Sequence, residues 1–295
     1  MNKVVWRRVV LSLLVVFWAF ESTALQAQVR TSQAVSFGDS LTDNEDLDLV
    51  FGTPASIYGA DPFEAMFNKA SFPGDQLTNY AVLGSTSEQV FQQVQAYAEA
   101  RKSRLVPRST LVSIQGGAND FLAPENIAVL ASAAPGESRK ADAIINRIRQ
   151  NLVRSVQTIQ RVDHAQIVVW TVPDVTLSPY GLFYLPGDEG AANIRAHINR
   201  LNRFIRGMEC RRSIAVLDLS SLLTASIISP PVIYGVPLYG PPAFGFPLAI
   251  FADPLHPTAV SNGLTANLLI EEVNENFRDD VPFYSEDELA TMAGF

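Results

Sequence analysis

Three polar side chains in this sequence have the types and spacing needed for nucleophilic chemistry. Ser40 comes two residues after Gly38, behind the apolar run at 34–37. A glycine permits a sharp turn at the end of a strand, which places the serine hydroxyl where open α/β sheets keep their chemistry. A serine hydroxyl is a poor nucleophile alone, so it needs a base and donors for an oxyanion. His256 and Asp253 are three residues apart, which lets both side chains meet within one turn.

The rest of the chain alternates short apolar runs with longer amphipathic segments. Apolar runs bounded by turn-forming residues predict five strands, at 34–37, 79–82, 111–115, 167–172 and 214–217. Apolar residues recurring every three or four positions predict helices at 87–101, 141–162, 191–208 and 258–277. The proline- and glycine-containing residues 51–78 are predicted to be mostly loop. This alternation predicts an α/β fold with a parallel sheet covered by helices on both faces.

The candidate polar residues each follow a predicted strand. Ser40 follows the first strand, Gly84 the second and Asn119 the third, while Asp253 and His256 come after the fifth, beyond a long loop. The carboxyl ends of parallel strands lie along one edge of the sheet. We therefore expect residues that are distant in sequence to converge there in a single site.

Four sequence blocks resemble those of the GDSL, or SGNH, hydrolases, in the order that this family has them. They are Phe-Gly-Asp-Ser-Leu-Thr-Asp at 37–43, Asn-Tyr-Ala-Val-Leu-Gly at 79–84, Gly-Ala-Asn-Asp at 117–120 and Asp-Pro-Leu-His-Pro at 253–257. A lone tetrapeptide is a weak signal, whereas four ordered blocks are a strong one. The resemblance implies a flavodoxin-like three-layer α/β/α sandwich with a five-stranded parallel sheet.

The same resemblance implies a role for each candidate residue. Ser40 is expected to be the nucleophile, and His256 the general base and then the acid for the leaving alcohol. Asp253 is expected to hold the histidine Nδ1–H and to stabilise the imidazolium. The oxyanion hole is expected to consist of the backbone N–H groups of Ser40 and Gly84 and the side-chain amide of Asn119.

Simpler interpretations exist for several of these residues. Ser40 alone fits a helix N-cap, Gly84 a turn glycine and Asn119 an Asx turn. Asp39 and Asp43 fit local hydrogen-bonding positions in a turn better than the position of a base.

The two remaining histidines are predicted to be structural. His164 precedes the fourth strand and so belongs to the opposite edge of the sheet from Ser40, and His197 lies within a predicted helix. Neither position is expected to reach the nucleophile.

Residues 1–27 have the pattern of a secretory signal peptide. A basic start with Lys3, Arg7 and Arg8 precedes an apolar run at 9–20, which is shorter than the about 20 residues of a bilayer span. Small residues allow cleavage after Ala24 or Ala27; an uncleaved anchor is the alternative. We expect an exported protein, secreted or periplasmic, without a stable membrane anchor. Residues 28–295 are predicted to form a single domain, with an acidic and mobile tail from about residue 278.

Composition excludes several classes of function. The net charge is −8 and no basic stripe is present, which argues against nucleic-acid binding. The three histidines are scattered and no cluster has metal-ligand spacing, so no metal site is predicted. Cys210 is the only cysteine, so an intramolecular disulfide is impossible. The expected reaction requires no cofactor.

We interpret the sequence as a serine hydrolase that cleaves carboxylic esters, of the esterase or lipase type, through an acyl-enzyme. Its partner is expected to be a small-molecule or lipid ester. Two alternatives use the same three residues: a glycan O-deacetylase, and an acyltransferase in which an alcohol outcompetes water. A catalytically inactive binding protein is an alternative from a different class.

The long loop at 227–251 is the candidate for substrate recognition. It carries no charge and contains five aromatic residues: Tyr234, Tyr239, Phe244, Phe246 and Phe251. The first four are the candidates for substrate binding. Because it lies between the fifth strand and Asp253, it is predicted to flank the active edge and to form an apolar wall for an acyl chain. The alternative is a loop that packs on its own core.

Overall fold

The computed structural model describes residues 33–43, 45–70, 77–101, 109–210 and 213–295. The signal peptide predicted at 1–27 lies outside the described residues and stays a prediction.

A five-stranded parallel sheet forms the centre of the protein, with the strand order β2-β1-β3-β4-β5. Its strands are β1 (Gln33–Phe37), β2 (Leu77–Asn79), β3 (Ser109–Ile114), β4 (His164–Trp170) and β5 (Ile214–Leu217). Every residue of β1 and of β5 is buried, as expected for a parallel sheet with both faces covered. The predicted α/β fold and its five-stranded parallel sheet are confirmed.

The strand order identifies the place where such a sheet binds ligands. The chain adds β2 on one side of β1 and then β3, β4 and β5 on the other side. The crevice at this reversal, outside the carboxyl ends of β1 and β3, is the usual ligand site of doubly wound folds. Ser40 follows β1 and Asn119 follows β3, so both lie at this reversal.

Helices flank the sheet throughout its length. Those before β4 are α1 (Leu47–Phe51), α2 (Ala55–Tyr58), α3 (Pro62–Ala70), α4 (Ser87–Arg101), α5 (Ala118–Leu122), α6 (Pro124–Ala131) and α7 (Arg139–Val162). Those after it are α8 (Pro179–Tyr184), α9 (Gly187–Arg206), α10 (Leu219–Ile228), α11 (Ala259–Phe277) and α12 (Glu286–Met292). None of these helices, in the described part of the chain, is both long and apolar enough to span a bilayer.

Two apolar cores lie on opposite faces of the sheet. Val35 of β1 belongs to the core formed with α4, α7 and α9, and its neighbour Ala34 belongs to the core formed with α3 and α11. Successive side chains of a strand point to opposite faces, so each strand contributes to both cores. Burial on both sides holds the strand ends, and therefore the residues that follow them, in fixed positions.

The segment at 51–78 differs from its prediction as mostly loop, because it contains the end of α1 and all of α2 and α3. Its prolines and glycines lie at the ends of these short helices and do not prevent them from forming. Pro62 is the first residue of α3, where its missing N–H costs nothing. The Oδ1 atom of Asp61 accepts hydrogen bonds from the N–H groups of Phe63 and Glu64 and so caps the same helix.

The C-terminal segment packs on the domain, although its acidic composition predicted a mobile tail. Val281 and Leu289 are buried against α11 or its neighbours. The side chain of Asn274 in α11 also hydrogen-bonds both the N–H and the carbonyl of Val281. Ser285 and Glu288 cap each other reciprocally at the start of α12. Interspersed apolar side chains therefore anchor a segment whose charges face solvent.

Candidate active site

The turn that carries Ser40 is held by two glutamine side chains. Gln115 accepts from the N–H of Asp39 at 2.9 Å and donates to the Asp39 carboxylate at 3.0 Å. Gln93 accepts from the N–H of Gly38 and donates to its carbonyl, both at 2.9 Å. A Cβ atom on Gly38 would lie 2.1 Å from the Thr42 hydroxyl, so only glycine fits there. Neither glutamine was predicted from the sequence, because no motif distinguishes a glutamine that binds distant backbone groups.

Ser40, His256 and Asp253 form a continuous chain of hydrogen bonds. The distance from His256 Nε2 to Ser40 Oγ is 2.8 Å, and that from His256 Nδ1 to Asp253 Oδ2 is 2.7 Å. An ionised carboxylate can only accept, so Nδ1 carries the proton in the neutral ring and Nε2 is left to accept from the serine hydroxyl. Ser40 does not begin a helix, since residues 39–42 form a turn. The N-cap interpretation therefore does not describe its position.

The environment of Asp253 keeps its carboxyl group ionised. Burial by itself raises the pKa of Asp253, but hydrogen bonds from the His256 side chain and from the N–H groups of Leu255 and His256 outweigh it. The net result is a pKa below the ordinary value for aspartate. A negative charge is thus maintained against the imidazole ring.

A fourth side chain joins this arrangement and was not predicted. The hydroxyl of Tyr58 donates to Asp253 Oδ2 at 2.8 Å, and the tyrosine is only 2% exposed. Burial is the main cause that raises the pKa of the Tyr58 hydroxyl, and the neighbouring Asp253 adds to it. Tyr58 lies in α2, within the segment predicted from the sequence to be mostly loop, and no motif surrounds it.

The other two histidines lie elsewhere, as predicted. His164 is the exposed first residue of β4, at the amino end of the strand and so at the edge opposite Ser40. His197 is fully buried in α9, where its Nε2 lies 2.9 Å from the carbonyl oxygen of Ala133.

Gly84 and Asn119 lie in two segments that meet beside the Ser40 turn. The N–H of Val82 donates to the carbonyl of Gly38 at 3.2 Å, which ties the Gly84 loop to the nucleophile turn. Gly84 has a φ of 77°, a conformation that favours glycine. The Asn119 amide donates to the carbonyl of Ser85 at 3.1 Å and is thereby held next to Gly84. Within the described residues, the backbone N–H groups of Ser40 and Gly84 donate to no protein acceptor.

An apolar cavity of about 90 Å³ adjoins the site. It shares Leu41, Pro257 and Asn262 with the small recess that contains Ser40 and His256. Its apolar walls come from α10, α11, the end of β4 and the long loop before Asp253. A cavity with mainly apolar lining beside a polar group fits an uncharged organic moiety.

None of the four aromatic residues predicted to bind substrate lines this cavity. Tyr234 is exposed and donates to the Asp287 carboxylate of α12 at 2.5 Å, and Phe244 is exposed as well. Tyr239 and Phe246 pack edge to face, with ring centroids 5.5 Å apart.

The same loop supplies other residues to the cavity instead: Leu238, Ile250 and Phe251. Neighbouring side chains of an extended segment point in opposite directions. Leu238 therefore faces inward while Tyr239 faces outward. Composition alone did not indicate which apolar residues of the loop face the site.

Three solved structures are similar to this chain at low sequence identity. A lipase from a goat rumen metagenome is 15% identical, with a TM-score of 0.51 and coverage of 82% of this chain and 97% of that one. A lipase/acylhydrolase from Enterococcus faecalis is 16% identical, with a TM-score of 0.46 and coverage of 86% and 100%. A gut microbial diltiazem-metabolizing enzyme is 14% identical, with a TM-score of 0.46; the match covers 82% of this chain and only 47% of that enzyme.

Sequence comparison gives the family directly. No curated protein matches the chain. The family model of the GDSL-like lipase/acylhydrolases matches residues 36–261, a span that includes all four sequence blocks. This match covers most of the chain, and the chain therefore belongs to the GDSL-like lipase/acylhydrolase family.

Proposed function

We propose that the protein is an exported hydrolase that cleaves carboxylic esters through an acyl-enzyme on Ser40. The observation that carries the proposal is the buried hydrogen-bond chain from Ser40 through His256 to Asp253. The family, whose members are lipases and acylhydrolases, agrees with this chemistry.

In the acylation step, Ser40 Oγ attacks the ester carbonyl while His256 Nε2 takes the hydroxyl proton. The carbonyl oxygen becomes an oxyanion, which the free N–H groups of Ser40 and Gly84 and the Asn119 amide stabilise. Loss of one such donor typically costs about 3–4 kcal/mol of transition-state stabilisation. As the tetrahedral intermediate collapses, the imidazolium gives its proton to the leaving alcohol and the acyl group stays on Ser40.

Deacylation repeats these steps with water as the nucleophile. His256 takes a proton from the attacking water, the same donors hold the second oxyanion, and the returned proton restores the Ser40 hydroxyl. Asp253 remains ionised throughout, because hydrogen bonds keep its pKa below the ordinary value despite burial. Its charge stabilises the imidazolium in both steps.

The apolar cavity supports an uncharged acyl group of short to medium length as the part of the substrate that is recognised. Each methylene buried is worth about 0.8 kcal/mol. We expect kcat/KM to rise roughly tenfold or more from acetyl to hexanoyl p-nitrophenyl esters. Leu222→Trp, which adds bulk at a lining position, should flatten this dependence. Phe244→Ala, at an exposed position outside the lining, should leave it unchanged.

The same assay distinguishes the alternative reactions. A steady preference for acetyl esters or acetylated glycans would contradict the acyl cavity and favour a deacetylase. Ester formation that exceeds hydrolysis when an alcohol is added would favour an acyltransferase. Absence of turnover and of covalent labelling would leave a binding protein.

Export is the part of the proposal that rests on residues 1–27 alone. Their basic start, apolar run and small residues are typical of a cleaved secretory signal. Mass spectrometry of the protein from its native host should find a first residue at Leu25 or Gln28. An intact Met1 in the membrane fraction would contradict export by cleavage.

A further inference from the structure

Half of the exposed large apolar side chains in the described residues lie on segments next to the active site. Fourteen large apolar side chains are exposed in the described part of the chain. Seven of them lie on three short segments and together form what we call the apolar rim: Leu49, Val50, Phe51, Val82, Leu182, Phe183 and Tyr184. Groups of exposed apolar side chains mark interaction sites more often than scattered single residues do.

Each rim segment directly contacts a part of the candidate active site. The ring of Phe51 in α1 lies 4.9 Å from the ring of His256, centroid to centroid. Val82 donates its N–H to the carbonyl of Gly38 in the nucleophile turn. Tyr180 of α8, the helix that contains Leu182 and Phe183, donates its N–H to the carbonyl of Pro254 at 2.9 Å. The rim segments are therefore attached to the loops that carry Ser40 and His256.

The charge around the rim indicates which kind of surface could lie against it. No lysine or arginine occurs in residues 33–68, 77–100, 109–138, 171–194 or 213–277, which include the described loops that follow the carboxyl ends of the strands. Acidic residues, including Glu45, Asp46 and Asp48, precede or lie in α1. A surface with negative headgroups would be repelled, since such surfaces attract clusters of lysine and arginine. An electrically neutral apolar surface meets no such penalty.

We propose that the apolar rim docks the active-site edge onto the surface of aggregated, electrically neutral ester lipid. Leu49 and Val50 enter the acyl boundary, in the manner of the apolar face of an interfacial helix. Docking then presents Ser40 to ester groups at the surface. The inference rests on the proposed ester hydrolysis for its purpose, but the docking itself involves no chemical step.

The test uses Ser40→Ala protein and vesicles of phosphatidylcholine, so that binding is measured without turnover. The protein should float with these vesicles, and replacing a third of the lipid with phosphatidylglycerol should weaken binding. The double variant L49S/V50S in the same background should bind at least tenfold more weakly. The matched control is I228S/V232S: Ile228 and Val232 lie outside the rim and are exposed by 79% and 55%, against 79% and 58% for Leu49 and Val50.

Absence of binding to phosphatidylcholine would overturn the docking proposal, as would equal loss in the control variant. Stronger binding to phosphatidylglycerol would also overturn it, and would assign membrane binding to the arginine-containing helices α7 and α9. In the active enzyme, L49S/V50S should slow the hydrolysis of a tributyrin emulsion at least tenfold relative to the hydrolysis of dissolved p-nitrophenyl butyrate. Failure to hydrolyse the dissolved ester would instead contradict the proposed function and would leave the vesicle result standing.

A different observation supports a second inference, which concerns Tyr58. Its hydroxyl and His256 Nδ1 both donate to Asp253 Oδ2, at 2.8 and 2.7 Å. The tyrosine is itself held in place, because Asn262 donates to its carbonyl at 2.9 Å and its ring packs with Leu47. We infer that Tyr58 is a positioning residue that fixes the Asp253 carboxylate and draws negative charge away from Oδ2.

The inference predicts a change in pH dependence on Tyr58→Phe. Without the tyrosine donor, Oδ2 carries more negative charge and stabilises the imidazolium more strongly, so the ring loses its proton at higher pH. The acidic limb of kcat/KM, which reports the free enzyme's base, should move by roughly 0.3–1 pH unit to higher pH. The maximal kcat should fall less than tenfold.

Tyr97→Phe provides the matched control. Tyr97 is buried to the same extent as Tyr58 and donates to a different carboxylate, Asp163, at 2.7 Å. Its variant should have a lower thermal midpoint but an unchanged pH profile. If Tyr58→Phe lowers the thermal midpoint similarly and its pH profile superimposes on that of the parent, Tyr58 is merely structural and the inference is wrong.

Discussion

Ser40→Ala should reduce ester hydrolysis by roughly 10⁴–10⁶-fold, because the members of a catalytic triad act as a unit. The fold should persist, since Gln93 and Gln115 hold the surrounding turn through Gly38 and Asp39 and not through the serine hydroxyl. Circular dichroism and thermal unfolding check the fold, and a p-nitrophenyl ester assay checks the rate. A fluorophosphonate should label the parent protein at Ser40 and leave the variant unlabelled.

Ser36→Ala is the control for this experiment. Ser36 is buried in β1, four residues before the candidate nucleophile, and its hydroxyl has no hydrogen-bond partner in the described residues. Removing an unpaired buried hydroxyl should be neutral or stabilising, so activity and labelling should both remain. Substantial turnover by Ser40→Ala, together with no adduct at Ser40 in the parent, would overturn the acyl-enzyme mechanism.

His256→Ala should cost as much activity as Ser40→Ala, because without the ring no group accepts the serine proton or returns it to the leaving alcohol. In the parent, kcat/KM should rise with pH, because only the unprotonated ring of His256 can accept the serine proton. Protonation of Asp253 should not limit kcat/KM near neutral pH. Its pKa is lowered by hydrogen bonds that outweigh burial, so protonation of the carboxyl occurs only at more acidic pH.

The other two histidines provide controls for the base. His164 is exposed at the far edge of the sheet, and His164→Ala should leave kcat and its pH profile unchanged. His197 is fully buried, so His197→Ala is expected to lower stability while the folded fraction retains the parent kcat. Loss of kcat in either folded variant would mean that the base has been assigned to the wrong residue.

Strands and long helices were predictable because the spacing of their apolar residues matches the faces that they bury in the folded protein. The fifth predicted strand and the helix at Ser87–Arg101 have the same bounds in the structure. The second strand spans Leu77–Asn79 and not the predicted 79–82, since the residues beyond Asn79 turn towards Gly38. Short helices such as α2 were not predicted, because four or five residues are too few to show the apolar periodicity of a helix. Packing against α11, where Gly59 lies against Ala259, stabilises them instead.

The sequence alone determined which residues are available for chemistry and at which strand ends they lie. Turn-forming residues after continuous apolar runs are local signals, and a parallel sheet brings the carboxyl ends of its strands to one edge whatever the loops do. Only the tertiary structure decided which distant side chains touch. Tyr58 reaches Asp253 from 195 positions away, and Gln115 holds the Ser40 turn. Phe251 lines the cavity together with Leu238, whereas the four other aromatic residues of the long loop do not. Such contacts depend on side-chain direction and on packing between elements, and neither is encoded in any local stretch of the chain.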